Sequence, residues 1–195
     1  SFSPYLHPYH ILIHGTKGFD VRKEDLAQLE AGKITRNEVH TMSNVIEQES
    51  SVVRVGCLSG PNLSSEIMAG QPTATLIASP YDEVFVLGKK VLKGKRFQVF
   101  GSRSMLGAEL AGALKNIIAI GSGILRGAGL GKNIQAMLIT RGLTEMIHYG
   151  KAMGTESRPF LGTAGVGDLV ATATSKASRN YTFGYRIGQG ESPQD

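Results

Sequence analysis

The sequence predicts an α/β sheet followed by an all-α half, and three observations carry that prediction. Short apolar runs of β type alternate with helical stretches up to about Ser102, a grammar that belongs to sheets covered by helices. Beyond that point Leu106, Leu110, Leu114 and Ile117 recur at helical intervals, and a second broad apolar stretch over residues 133–149 keeps the same period. Glycine supplies 25 of 195 residues, nearly twice the usual share of roughly 7%, which implies tight turns and close backbone packing.

Taken in order, residues 11–14 and 52–55 are the first strands, and the apolar run 53–58 reads as a buried strand that holds the single cysteine, Cys57. Residues 73–78 and 97–100 read as further strands, with a helix over residues 82–92 between them. The chain divides on this reading into 1–101, the sheet-forming part, and 102–195, the helical part. Residues 181–187 leave two options open. Tyr181, Phe183, Tyr185 and Ile187 alternate as in a strand, while Phe183 and Ile187 also share a helical face.

Composition excludes several classes. A net charge of +5 raises nucleic acid as a partner, but the densest basic cluster, Lys89, Lys90, Lys93, Lys95 and Arg96, surrounds a turn and has no interleaved aromatic for base stacking. A modest basic excess suits a pocket for a small anion instead. One cysteine makes no internal disulfide. No hydrophobic run approaches the roughly 20 residues of a membrane span, and residues 1–10 lack the pattern of a signal peptide. The expected setting is soluble, reducing and cytoplasmic. His7, His10 and His14 are spaced suggestively, but Pro8 interrupts them and no cysteine is near, so no metal is expected.

Several segments are candidates for chemistry. Lys115 and Asn116 interrupt an apolar, Gly- and Ala-rich helical run, where burial would lower the lysine pKa and make it a usable acid or base. By itself that segment slightly favours a lysine snorkelling past an apolar face. Residues 117–127 imitate a dinucleotide fingerprint, but the third glycine is one residue late and the preceding run continues a helical stripe. Lys17 follows a strand end, as do Gly60 and Asn62, and strand ends are where an α/β sheet places its ligand crevice. Ser64 stands where a helix could begin, a start that attracts phosphate. Asp168 lies in a glycine-rich turn, either as a helix N-cap or as a partner for an amine such as Lys115. Ser178, Arg179 and Asn180 bring hydroxyl, guanidinium and amide together, a set suited to phosphate.

In order along the chain the stretches 15–18, 58–62, 112–116, 127–133, 138–146, 164–169 and 178–180 form a set spread from residue 15 to residue 180. The ordered set closely resembles the NAD(P)-dependent glycerol-3-phosphate dehydrogenases. The resemblance implies the second half of a Rossmann-type cofactor domain over 1–101, and part of a helical substrate domain over 102–195, with the site in the cleft between. It implies interconversion of sn-glycerol 3-phosphate and dihydroxyacetone phosphate, with Lys115 as proton acceptor or donor. Substrate contacts carry over to Lys17, Gly60, Asn62, Lys115, Asn116, Asp168, Thr172, Ser178, Arg179 and Asn180. Arg179 and Asn180 would hold the phosphate, and Asn116 would help position Lys115 or the reacting oxygen. Cofactor contacts, to NAD or NADP, carry over to Lys17, Ser64 and Arg179. A homodimer is also implied.

The resemblance places the family's first strand and Gly-rich loop before the point at which this sequence opens, and its closing helices after the end. The competing expectations are a non-catalytic phosphate-ligand-binding fragment and a hydroxyacid dehydrogenase. The phosphate-suited trio at 178–180 disfavours the latter.

Overall fold

Runs of β-branched and apolar residues bounded by polar turns lay down four strands that pair side by side in the computed structural model, which describes residues 3–21, 26, 30–33, 35 and 38–194. Strand β1 (Ile11–His14) is followed by two short strands, β2 (Phe19–Asp20) and β3 (His40–Thr41), which form their own antiparallel pair. Helix α1 (Met42–Glu49) leads to β4 (Arg54–Ser59), then the one-turn helix α2 (Ser64–Met68) and β5 (Thr73–Ala78). Helix α3 (Asp82–Leu92) and β6 (Phe97–Ser102) close the sheet, whose order is β1-β4-β5-β6. The α/β half is therefore as expected. The fourth strand runs two residues beyond the predicted 97–100, and β4 begins at Arg54 because Val53 is turned to solvent.

The sheet is mixed. β1 and β4 are parallel, with Ile11 opposite Arg54 and His14 opposite Cys57. β4 and β5 are antiparallel, with Ser59 opposite Leu76, and β5 and β6 are parallel. The antiparallel step follows from the short connection: residues 60–72 carry only α2, so β5 starts at the end of the sheet where β4 finishes. Three chain ends thus meet there: the loops after β1 and β4, and the start of β5.

The second half is helical: α4 (Met105–Gly127), α5 (Lys132–Ala152), α6 (Arg158–Leu161), a π-helical turn at Thr163–Gly167, α7 (Asp168–Thr174) and α8 (Arg179–Gly188). Residues 181–187, ambiguous by pattern, are helical in α8, which Ser178 caps by accepting a hydrogen bond from the Tyr181 backbone N–H at 3.3 Å. Helix α8 lies against α4 with almost no room between backbones. A Cβ on Gly123 would come within 2.1 Å of the Tyr181 carbonyl oxygen, and one on Gly184 within 2.0 Å of the Ile120 carbonyl oxygen. Buried Leu110, Ile118, Met146, Phe160 and Leu169 join α4, α5, α6 and α7 in one apolar core.

Helix α4 bears on the expectation of no membrane span. Its mean hydropathy reaches 1.3 over a window long enough to cross a membrane, although 61% of that window is buried inside the molecule. The sequence reading missed this because Glu109 and Lys115 interrupt the apolar run. Both are enclosed by other helices and strands, so α4 serves as a core helix.

Candidate active site

Lys115 lies mid-way along α4 on a face covered by α7, and it is only 5% exposed. An ammonium there is stable only with partners. Its Nζ donates to a carboxylate oxygen of Asp168, Oδ1, and to Thr172 Oγ1 at 2.7 Å. Asp168 and Thr172 stand one turn apart on α7, so one helix face delivers both acceptors. The other oxygen of Asp168, Oδ2, accepts from Lys17 Nζ at 2.6 Å. Lys17 follows β1 and also donates to the Gly60 carbonyl at 3.4 Å, after β4. Two cations therefore share one carboxylate. Burial pushes the Lys115 pKa down, Asp168 pulls it back up, Lys17 opposes that pull, and the result is about 8.

Local structure explains the placement of each group. Asp168 is 2% exposed and follows the π-helical turn, a feature common at functional sites. It is no simple N-cap: both carboxylate oxygens are taken by lysines. Within that turn a Cβ on Gly165 would overlap the Phe160 carbonyl oxygen at 2.0 Å, so the chain passes only without a side chain. Gly60 has φ of +134°, which permits the reversal after β4 that offers its carbonyl to Lys17. A Cβ on Gly112 would stand 3.3 Å from Lys17 Cγ, so this glycine keeps a groove for the Lys17 stem.

The remaining sequence candidates lie outside these contacts. Asn116 Oδ1 accepts from Asn180 Nδ2 at 2.9 Å, which ties the first turn of α8 to the residue after Lys115. The partner of Asn116 is thus Asn180. Arg179 is exposed beside Asn180 on that first turn, and Ser178 is buried as its cap. Asn62 Nδ2 donates to Thr75 Oγ1 at 2.9 Å. Ser64 is exposed at the start of α2. Lys17, Gly60, Asp168, Thr172 and Lys115 are thereby joined directly, and Asn116 and Asn180 as a neighbouring pair. Sequence reading missed Thr75, whose strand alternation carried no chemical signal, and Gly112, whose role depends on a lysine remote in sequence.

A dinucleotide would lie at the C-terminal ends of the parallel strands β1 and β4. The groups there fit one: Lys17 as a cation, an exposed hydroxyl at Ser64, and Asn62, whose buried Oδ1 has no hydrogen-bond partner among the described residues. His14, among the histidines considered for metal, is engaged elsewhere. Its Nε2 lies 3.0 Å from Ser43 Oγ and 3.2 Å from Glu109 Oε1. Burial pushes the Cys57 thiol far up, which makes it an inert core group.

Two sequence families match the chain. The NAD-dependent glycerol-3-phosphate dehydrogenase N-terminus matches residues 1–85, and the C-terminus of the same enzyme family matches residues 104–195. A glycerol-3-phosphate dehydrogenase (NAD(P)+) of Teredinibacter turnerae is 49% identical over 151 residues, covering 77% of this chain and 44% of its own length. The Saccharophagus degradans protein of that name is 40% identical over 190 residues, covering 97% of this chain and 49% of its own. The crystal structure of glycerol-3-phosphate dehydrogenase from Coxiella burnetii superposes with a TM-score of 0.84 at 35% identity, over 99% of this chain and 55% of that one. The chain spans about half the length of the curated relatives it matches.

Proposed function

The chain belongs to the NAD-dependent glycerol-3-phosphate dehydrogenase family, and on that premise we propose that its protein interconverts sn-glycerol 3-phosphate and dihydroxyacetone phosphate. The observation that carries the reading is the buried Lys115, held by Asp168 and Thr172 with a pKa of about 8. A neutral amine takes the proton of the C2 hydroxyl during oxidation, and the ammonium returns it during reduction. Nicotinamide, when bound, accepts or supplies the hydride. Lys17, Ser64 and Arg179 are the residues that would hold that cofactor.

The other side chains bind and orient. Arg179 and Asn180 would take the phosphate, a reading supported by their position on the first turn of α8, and Asn116 accepts a hydrogen bond from Asn180. Asp168 fixes Lys115 and Lys17 on its two oxygens, so the amine and a second cation keep a constant separation. We assign residues 1–101 to the cofactor-binding part and 102–195 to the substrate-binding part, a division supported by the end of the sheet at Ser102. A cytoplasmic homodimer completes the reading. Cys57, a buried free thiol, suits a reducing compartment, and exposed Ile117 and Met137 supply apolar surface for a second copy.

The test is oxidation of NADH and NADPH by the purified protein with dihydroxyacetone phosphate, and with unphosphorylated dihydroxyacetone as control. Turnover that requires the phosphate is expected. Equal turnover of both ketones, or none of either, would overturn the proposal. Oxidation of glycerol 3-phosphate needs the neutral amine, so its rate should rise with pH and level off above about 8.

A further inference from the structure

Two buried side-chain polar atoms lack a hydrogen-bond partner among the described residues, His14 Nδ1 and Asn62 Oδ1. Asn62 is the more informative, because its amide is held in one orientation from behind. Thr75 is completely buried on β5, and its hydroxyl carries a single proton. Thr75 Oγ1 donates that proton to the Ser59 carbonyl at 3.1 Å. What remains on the oxygen is acceptor capacity, so the Asn62 group facing it at 2.9 Å has to be the Nδ2 donor. Turning the amide over would set two acceptors against each other, or strip the Ser59 carbonyl of the Thr75 proton.

We propose that Thr75 is a positioning residue: it fixes the Asn62 amide so that Oδ1 is presented as an acceptor to an N–H or O–H donor of the bound ligand. The inference rests on the dehydrogenase reading above. Asn62 stands two residues after Gly60, whose carbonyl takes Lys17, so the open acceptor belongs to the same end of the sheet as the lysine cluster. The antiparallel β5 makes the arrangement possible, since its early residues lie beside the end of β4. Two donors meet the requirement at that place, a hydroxyl of the three-carbon phosphate or the carboxamide N–H of nicotinamide. An acceptor fixed from behind discriminates for such a donor, and a ligand without it leaves the oxygen unsatisfied.

The experiment measures Kd for glycerol 3-phosphate and for NADH, with kcat alongside, in the protein and in Thr75→Val, Thr75→Ser, Asn62→Ala and the Thr75→Val/Asn62→Ala double variant. Thr75→Val is expected to weaken one ligand about tenfold, the worth of one buried hydrogen bond, and to leave the other unchanged. The ligand affected identifies the donor. Thr75→Ser should restore the affinity, and Thr75→Val should cost nothing further once Asn62 is alanine. Unchanged Kd for both ligands, or a Thr75→Val loss that adds in full to that of Asn62→Ala, overturns the proposal. If Thr75→Val does not fold, Asn62→Ala decides: unchanged affinity for both ligands overturns it, and loss of one supports it. Wild-type protein that binds both ligands without turnover overturns only the catalytic reading. Wild-type protein that binds neither overturns both.

Discussion

Helix α4 buries two ionisable side chains, and their surroundings differ in one respect that decides what each does. Glu109, 8% exposed, accepts from the Ser43 backbone N–H at 2.8 Å and faces His14, so a backbone donor and a titratable ring satisfy it. Lys115, 5% exposed, shares Asp168 with a second cation, Lys17. Burial is almost equal, yet the charge balance is not. Burial, with Lys17 opposing the pull of Asp168, holds the Lys115 amine near its titration point, whereas Glu109 takes a backbone donor and has no second charge competing for its partner. Burial alone therefore does not mark a reactive group. Burial joined to a second like charge on the same carboxylate does.

Four substitutions sharpen or break this contrast. Lys115→Met should lower kcat by about 10²–10⁴ without weakening glycerol 3-phosphate binding to a similar degree. The stability of the unsubstituted protein should carry a matching pH dependence that Lys115→Met removes. The native pKa of Lys115 is depressed to about 8 from 10.5, so the unfolded chain binds more protons between those values. The charged lysine thus costs stability below pH 8, and the cost disappears as pH rises towards 10.5. Steady-state kinetics with a thermal melt checks both points, and retained turnover would remove Lys115 from the chemistry.

Asp168→Asn leaves the buried Lys115 amine and the half-buried Lys17 amine without their counter-charge and should cost about 3–5 kcal/mol in urea denaturation. An unchanged midpoint would show that Asp168 does not hold the cluster. Glu109→Gln should cost about 1–3 kcal/mol, because a backbone bond is weakened and the His14 pair is lost, while kcat stays within twofold. Loss of turnover without loss of stability would place Glu109 in the chemistry and erase the contrast. Lys17→Met gives the smallest effect. Without the like charge, the Lys115 titration should move up, read as a basic shift of the pH–rate limb. A shift to lower pH would contradict the electrostatic account.

The sequence showed each half of this arrangement unequally. Lys115 and Asp168 stood out because their types broke an apolar or glycine-rich context, and Lys17, Gly60 and Asn62 because they follow strand ends. Thr75, Ser43 and Glu109 did not, since a threonine in a strand, a serine opening a helix and a glutamate on a helix are ordinary in pattern. Their roles arise from partners distant in the chain: Glu109 meets Ser43, and Thr75 reaches back to Ser59. Asn116 stood out as a polar interruption, but its partner, Asn180, becomes visible only when α8 packs on α4.

Periodicity, by itself, determined the strand and helix types, the change of grammar near Ser102 and the segments where chemistry is possible, because these follow from local patterns of apolar spacing and turn residues. Tertiary structure decided the rest. It set β5 antiparallel to β4, made residues 181–187 a helix through the Ser178 cap and the glycine contacts with α4, and gave one carboxylate two lysines to hold. Each of these depends on groups far apart in the chain whose energies exist only after packing has removed water from between them.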